Sequence, residues 1–293
     1  MGLLNLGSDP ELIFTNESGL VDADDVLSGR TSAKFGCDGS SATAEIRPGC
    51  ANTPREMVEN IRSTFLWGIE QNPRISNLSW WGGNSVCGRS IGGHIHFGGA
   101  KAQDSSVRSR IIWALDRVYM PIEILVSDQD QARARRSGSY GQLGAYETKS
   151  YGFEYRTPGS WIVGRGVALG LLSLAHATAE WAVAGSDSFD LTESDKDLLE
   201  PNHQKFTECD QAYYREKFLR IWSTVGKMPL ARQYWPEMSF LRQLISAKKT
   251  WSNGQDIKTR WNLIPAVPTP AGPQIFSADE AWDLANQSNI VSF

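Results

Sequence analysis

Long apolar runs are missing from this 293-residue chain. None approaches the roughly 18 residues of a membrane-spanning helix, so neither a span nor a membrane partner is expected. Cysteine is scarce: four residues, at 37, 50, 87 and 209, with no CxxC pair. That argues against a cysteine zinc site and a disulfide framework, and favours a reducing cytoplasm. Excess positive charge is absent. The net charge is −4, so no nucleic-acid partner is expected, although Arg133, Arg135 and Arg136 form one basic patch. The opening MGLLNLGSDPELIF lacks the basic and apolar segments of a secretory signal. It also lacks the Ser or Thr that a myristoylation signal carries at its sixth position. No internal repeat or low-complexity tract is evident.

What is present is an ordinary globular composition, 41% hydrophobic and 21% charged, with length enough for a sizeable core. Residues 3–14 read as a short strand broken by Gly7 and Pro10. In 42–48, Thr43, Glu45 and Arg47 fall on one face, Ala44 and Ile46 on the other. Thr53, Pro54 and Glu56 make a helix start with a capping box. Met57, Ile61, Phe65 and Ile69 follow as its apolar stripe. Residues 75–81 predict another strand, and 92–98, GGHIHFG, a third alternating one. Val107, Ile111, Leu115, Val118 and Ile122 predict a helix over 104–126. Polar, Gly-bearing 127–150 reads as a loop. In 151–157, Tyr151, Phe153 and Tyr155 point one way, Glu154 and Arg156 the other. Helices are expected at 162–184, 211–224 and 236–248, with an acidic connection at 185–200 and an extended tail at 265–272. The expectation is one α+β domain over 1–293. Its sheet, mostly antiparallel and curved with helices on one face, fills 1–165, and a mainly helical part completes it over 166–293.

Four strand-like segments each place two polar groups at i, i+2 and so on one side: Asp9 and Glu11, Glu45 and Arg47, His94 and His96, Glu154 and Arg156. Carboxylates are hard oxygen ligands for Mg²⁺, imidazole ligates metal or touches phosphate, and arginine forks onto phosphate or carboxylate oxygens. Together they describe a nucleotide phosphoryl-transfer site. Any one such pair alone is ordinarily the wet face of a strand. For His94 and His96 the flanking Gly92-Gly93 and Gly98-Gly99 favour function, because glycine permits close approach of a ligand. Glu154 fits a buried metal carboxylate or a structural pair with Arg156. Arg135 and Arg136 alone read as a solvated loop, and His176 and His203 as structural or incidental.

The runs GSDPE, CDGSSATAEIRP, GGHIHFG and RRSGSYGQLGAYETKSYGFEYRTPGSW, in that order over residues 5–165, resemble the phage-type carboxylate–amine ligases called COOH-NH2 ligase type 2. That family lies in the superfamily of glutamine synthetase and glutamate–cysteine ligase. The resemblance implies a glutamine-synthetase-like catalytic domain that uses ATP and Mg²⁺ or Mn²⁺ to activate a carboxylate as an acyl phosphate for amine attack. By it, Asp9 and Glu11 would bind metal, Asp9 less surely because it is a methylene shorter than the glutamate of glutamine synthetases. Glu45 would be a metal or amine-side carboxylate. His94 and His96 would contact metal and ATP phosphate, one on each, with His94 placed in the metal set and Arg47 and Arg136 on the cofactor side. Glu154 would bind metal, and Arg135, Arg136 and Arg156 would neutralise the transferring phosphoryl group or the carboxylate. Asp38 and Gly39 match a turn of unassigned role. The implied partners are small-molecule or peptide carboxylates and amines in the cytoplasm, the host's if phage-encoded, with oligomeric state open. Three other readings stand beside it: a guanidino-type kinase, a metal hydrolase using HxH and carboxylates, and a non-catalytic phage structural or binding protein.

Overall fold

A computed structural model describes residues 2–27, 33–185, 200–251 and 256–263. The first half is strand-rich: β1 (Asn5–Ser8), β2 (Glu11–Asn16), β3 (Gly19–Val21), α1 (Ala23–Leu27), β4 (Phe35–Cys37), β5 (Thr43–Ile46), α2 (Pro54–Gln71), β6 (Ser79–Trp81), β7 (Ser85–Val86), β8 (Arg89–Ser90) and β9 (Ile95–Gly98). Next come α3 (Ala100–Gln103), α4 (Ser105–Ala114), α5 (Met120–Val126), α6 (Gln129–Ser137), β10 (Tyr146–Lys149) and β11 (Gly152–Tyr155). The helices α7 (Arg165–Val183), α8 (His203–Thr207), α9 (Gln211–Gly226), α10 (Trp235–Ser246) and α11 (Ile257–Arg260) complete the described chain.

The strands form two main antiparallel sheets rather than one curved sheet. One has the order β1-β9-β11-β10; the other has β3-β2-β5-β4, with β6 also paired to β2. The predicted strand over 3–14 is therefore two strands in different sheets. Pro10 has no N–H to give a ladder, so the chain leaves the first sheet at Asp9-Pro10 and enters the second at Glu11.

Register sets which side chains share a face. In the first sheet Gly7, His96, Glu154 and Glu147 lie abreast across the four strands. The reverse face carries Leu6, Phe97 and Phe153, all buried. In the second sheet Glu11 stands opposite Glu45.

Helix α2 begins as its sequence dictates. Thr53 accepts from the Glu56 N–H at 3.2 Å, while the Glu56 carboxylate reaches back to the Asn52 N–H at 2.7 Å. Its Met57, Ile61 and Phe65 are wholly buried. Phe65 packs edge-on against Trp80 and Trp261. Asp104 caps α4, and the helix runs on to Val126 through one wide π turn, Leu115–Tyr119, where Asp116 accepts from the Tyr155 hydroxyl at 2.6 Å. Every residue from Gly166 to Val183 in α7 is buried. That helix packs against α2, α4 and α10 and anchors the helical side. Against the expectation from sequence, it is by length and composition the one described helix apolar enough to cross a membrane, but it is buried throughout in the core.

Two further expectations are corrected. Residues 75–81 divide into a 3₁₀ turn, Pro73–Asn77, and the short strand β6. The stretch 127–150 is not a loop: it holds α6, capped by Asp128, and the edge strand β10. Most of the 185–200 connection and all of the 265–272 tail lie outside the described residues.

Candidate functional site

The two sheets meet at the His strand. Glu11 N–H donates to the Gly92 carbonyl at 2.9 Å, and the Glu11 carboxylate accepts from the Gly92 N–H at 2.6 Å. This junction brings Asp9 over the first sheet, toward His94 and His96.

Asp9 Oδ1 lies 3.2 Å from His94 Nδ1 and 3.1 Å from His96 Nε2. His94 Nδ1 is also 3.0 Å from Glu154 Oε1. One ligand atom from each of Asp9, His96 and Glu154 falls within 4.8 Å of the others, a spacing a single cation can span. Asp9 Oδ1 and His96 Nε2 are buried, and neither makes a hydrogen bond. A buried carboxylate oxygen and a ring nitrogen in contact without an aligned hydrogen bond, with a second carboxylate close by, fit a divalent cation of the Mg²⁺ or Mn²⁺ kind.

Electrostatics binds the cluster together. Burial would raise the Asp9 carboxyl, but the two imidazoles overturn this and hold it well below the usual carboxylate range. Burial would likewise depress His94; Asp9 and Glu154 instead raise it to about 10. Glu154 is held low, His94 and Lys149 outweighing the effect of burial. The sequence reading put His94 in the metal set and left open which histidine ligates. In the structure His96 completes the trio, and His94 bridges the two carboxylates from the side.

Glu11 and Glu45 stand in the adjoining sheet. Burial raises the Glu11 carboxyl. Burial also pushes Glu45 up to about 8, with Asp9 adding to the push and Arg47 opposing it. Arg47 pairs with Glu45 and donates to the Ala33 and Cys37 carbonyls.

Two clefts flank the cluster. The smaller, about 470 Å³, is walled by Asp9, His96, Arg47, Tyr151 and the Gly98-Gly99 backbone. The larger, about 660 Å³, is walled by Glu11, Asp38, His94, Arg135 and Arg156. Arg156 pairs with Glu147 at 3.1 Å and Glu154 at 3.3 Å and is half-exposed.

Arg135 and Arg136 sit on α6, not on a solvated loop, and both are buried. Arg136 donates to Glu123 at 3.1 Å and to Cys209 Sγ at 2.7 Å, and its guanidinium lies 4.5 Å from the Phe206 ring centre. It is a strut between α5, α6 and α8, and it walls neither cleft. Arg135 donates to the Thr157 and Arg156 carbonyls and has no carboxylate partner among the described residues. The supposed basic patch reduces to Arg133, whose guanidinium is half-exposed.

Gly92 and Gly93, just before the His strand, act otherwise than expected, whereas the Gly98-Gly99 backbone does wall a cleft. A Cβ at Gly92 would overlap the His94 ring, and one at Gly93 would overlap the Gly159 carbonyl. Both make room for the protein itself rather than for a ligand. His176 is buried and bonded to the Tyr234 hydroxyl at 2.9 Å, a packing role. His203 opens α8.

Sequence reasoning missed Lys149 and Tyr151. Lys149 contacts Glu154 at 3.0 Å and Glu147 at 2.8 Å. Tyr151 was assigned to the apolar face with Phe153 and Tyr155. It lies instead in the turn before β11, its hydroxyl 2.8 Å from His96 Nδ1. Gly152 at φ +155° breaks the alternation there. That glycine was the available signal.

A family model described as phage phiEco32-like COOH.NH2 ligase-type 2 matches residues 6–263. The chain belongs to this family. It is thus a ligase of the carboxylate–amine class by family. The match takes in every candidate residue from Asp9 to Arg156 and most of the helical part. No curated protein sequence matches the chain.

Proposed function

We propose that this ligase joins a carboxylate to an amine at the cost of ATP, through an acyl phosphate, on a glutamine-synthetase-like catalytic fold. The observation that carries the reading is the convergence of Asp9, His96 and Glu154 between two clefts, in a chain of the carboxylate–amine ligase family. A free carboxylate resists amine attack because its oxide is a poor leaving group. Phosphorylation converts that oxygen into phosphate.

A divalent cation, Mg²⁺ or Mn²⁺, would be held by Asp9, His96 and Glu154, and would neutralise phosphate charge during transfer. The chain's own residues supply the rest. Arg135 and Arg156 set fixed positive charge on the wall of the larger cleft, and Arg47 does so in the smaller. Glu45, pushed up to about 8, would take a proton from the attacking amine as pH rises through that value and its carboxylate form fills. Asp38 and the buried Glu11 offer carboxyl oxygens in the larger cleft, suited to an ammonium group. Substrates of this kind are small-molecule or peptide carboxylates and amines, and the ATP requirement fits a cytoplasmic site.

The test is isotopic. With Mg²⁺-ATP, an amine and a panel of carboxylates labelled with ¹⁸O, ADP release should depend on the carboxylate, and label should appear in the released phosphate. A stable phosphorylated product without amide would make the protein a kinase. Metal-dependent hydrolysis with no nucleotide requirement would make it a hydrolase.

A further inference from the structure

Tyr151 touches the cluster from the side away from Asp9. Its hydroxyl oxygen is 2.8 Å from His96 Nδ1, and the two rings stack 5.9 Å apart at an interplanar angle of 18°. The other ring nitrogen, Nε2, is 3.1 Å from Asp9 Oδ1, but the two are not aligned as a hydrogen bond. A proton on Nε2 would thus have an acceptor within reach but out of line. A proton on Nδ1 has the Tyr151 oxygen at ordinary hydrogen-bond distance.

We propose that Tyr151 is a positioning residue that holds His96 with its proton on Nδ1, leaving a bare Nε2 to complete the cation site with Asp9 and Glu154. The cation part of this rests on the ligase reading above; the hold on the ring does not.

The backbone imposes the contact. Gly152 has φ +155°, and a Cβ there would overlap the Phe97 carbonyl, so the β10–β11 turn presses against β9. Gly99 N–H donates to the Tyr151 carbonyl at 3.0 Å, and the Gln103 side chain donates to the Ser150 carbonyl at 2.7 Å. Tyr151 is fixed over His96 from both ends of the turn. Its own hydroxyl proton is then free to turn into the smaller cleft, which Tyr151 helps to wall. Histidine ligands commonly owe their ring orientation to such a partner on the far nitrogen.

The test uses the full chain, metal-free and ¹⁵N-histidine labelled, at pH 8. Nitrogen–proton correlation spectra read the His96 tautomer, and calorimetry reads Mn²⁺ affinity. The wild type should show the Nδ1–H form. Tyr151→Phe keeps the ring but not the oxygen; it should lose that preference and bind Mn²⁺ about 10- to 100-fold more weakly, with an unchanged melting temperature. Tyr151→Gln, which returns an acceptor, should recover part of the affinity. A wild-type His96 protonated on Nε2 would overturn the proposal. So would a Y151F variant that keeps both the tautomer and the Mn²⁺ affinity. Should Y151F melt early, the wild-type tautomer decides alone. A wild type with the Nδ1–H form that binds no Mn²⁺ would sink the metal site of the ligase reading, but not Tyr151's hold on the ring.

Discussion

Arg136 donates to Glu123 at 3.1 Å with both side chains wholly buried, whereas its neighbour Arg135 meets only backbone carbonyls and faces the larger cleft. Adjacent arginines thus do different work. Removing one partner of a buried pair strands the other charge, which costs about 3–5 kcal/mol. Arg136→Ala or Glu123→Ala should therefore lower the urea midpoint sharply. The double variant Arg136→Met/Glu123→Leu should recover most of the loss. Equal midpoints for R136A and the wild type would show that the pair contributes nothing to folding.

Arg135 lies in the grip of Gly141. That glycine has φ +63°, and a Cβ there would overlap both the Arg135 guanidinium and the Thr157 carbonyl. Gly141→Ala should push Arg135 out of place. Misplacing a positioning group by about 1 Å can cost on the order of 100-fold in rate. ADP release should fall by about that factor, with Mn²⁺ affinity unchanged, because the trio of Asp9, His96 and Glu154 does not touch Gly141. A parallel fall in metal affinity would place Arg135 among the groups that shape the cation site.

Asp9 and Glu11 are also separable. Asp9 Oδ1 faces both imidazoles, while Glu11 is held on the Gly92 N–H in the second sheet. Asp9→Asn should weaken Mn²⁺ binding by at least tenfold, since it replaces an anionic oxygen ligand with a neutral one. Glu11→Gln keeps an oxygen that can accept from Gly92, so it should weaken Mn²⁺ less and act chiefly on turnover. The reverse order in calorimetry would return Glu11 to the metal.

These residues also show what the sequence made legible. Periodicity marked α2 and α4 because their buried faces are built from apolar side chains at helical spacing, and α7, buried all round, was legible from its apolar composition. The Thr53 cap was readable because capping is local. The HxH and ExR faces were readable because strand alternation is local as well. Helix α6 was hidden: its buried face is Ala132, Arg135 and Arg136, and charges that find partners in distant segments defeat a hydrophobic pattern. Asp9 and Glu11 looked like one strand pair, but Asp9 lies with Pro10 in the link between the sheets and Glu11 opens β2. Tyr151 lay in a turn, where alternation gives no direction. Pairing between Gly7, His96, Glu154 and Glu147 is a matter of register, which no single segment contains.

The pH dependence follows from His94. Asp9 and Glu154, against the pull of burial, raise it from 6.5 to about 10, so the folded chain holds its proton more tightly than the unfolded chain does. Its contribution to stability is complete below about pH 6.5 and is lost as pH rises through about 10. Asp9 works in the opposite sense: its lowered carboxyl stabilises above 3.8, and that is lost as pH falls below this value. The metal-free protein should therefore melt highest between these limits, with a decline toward pH 10 that His94→Gln removes. A cation among Asp9, His96 and Glu154 would cancel the negative charge that keeps the proton on His94. Binding should expel that proton, and Mn²⁺ affinity should climb with pH between about 7 and 9, by up to tenfold per unit for one proton. Calorimetry at pH 8 in two buffers of different ionisation enthalpy measures the release directly. About one proton per Mn²⁺ is expected in the wild type and none in His94→Gln; equal release by both would assign the proton to another group.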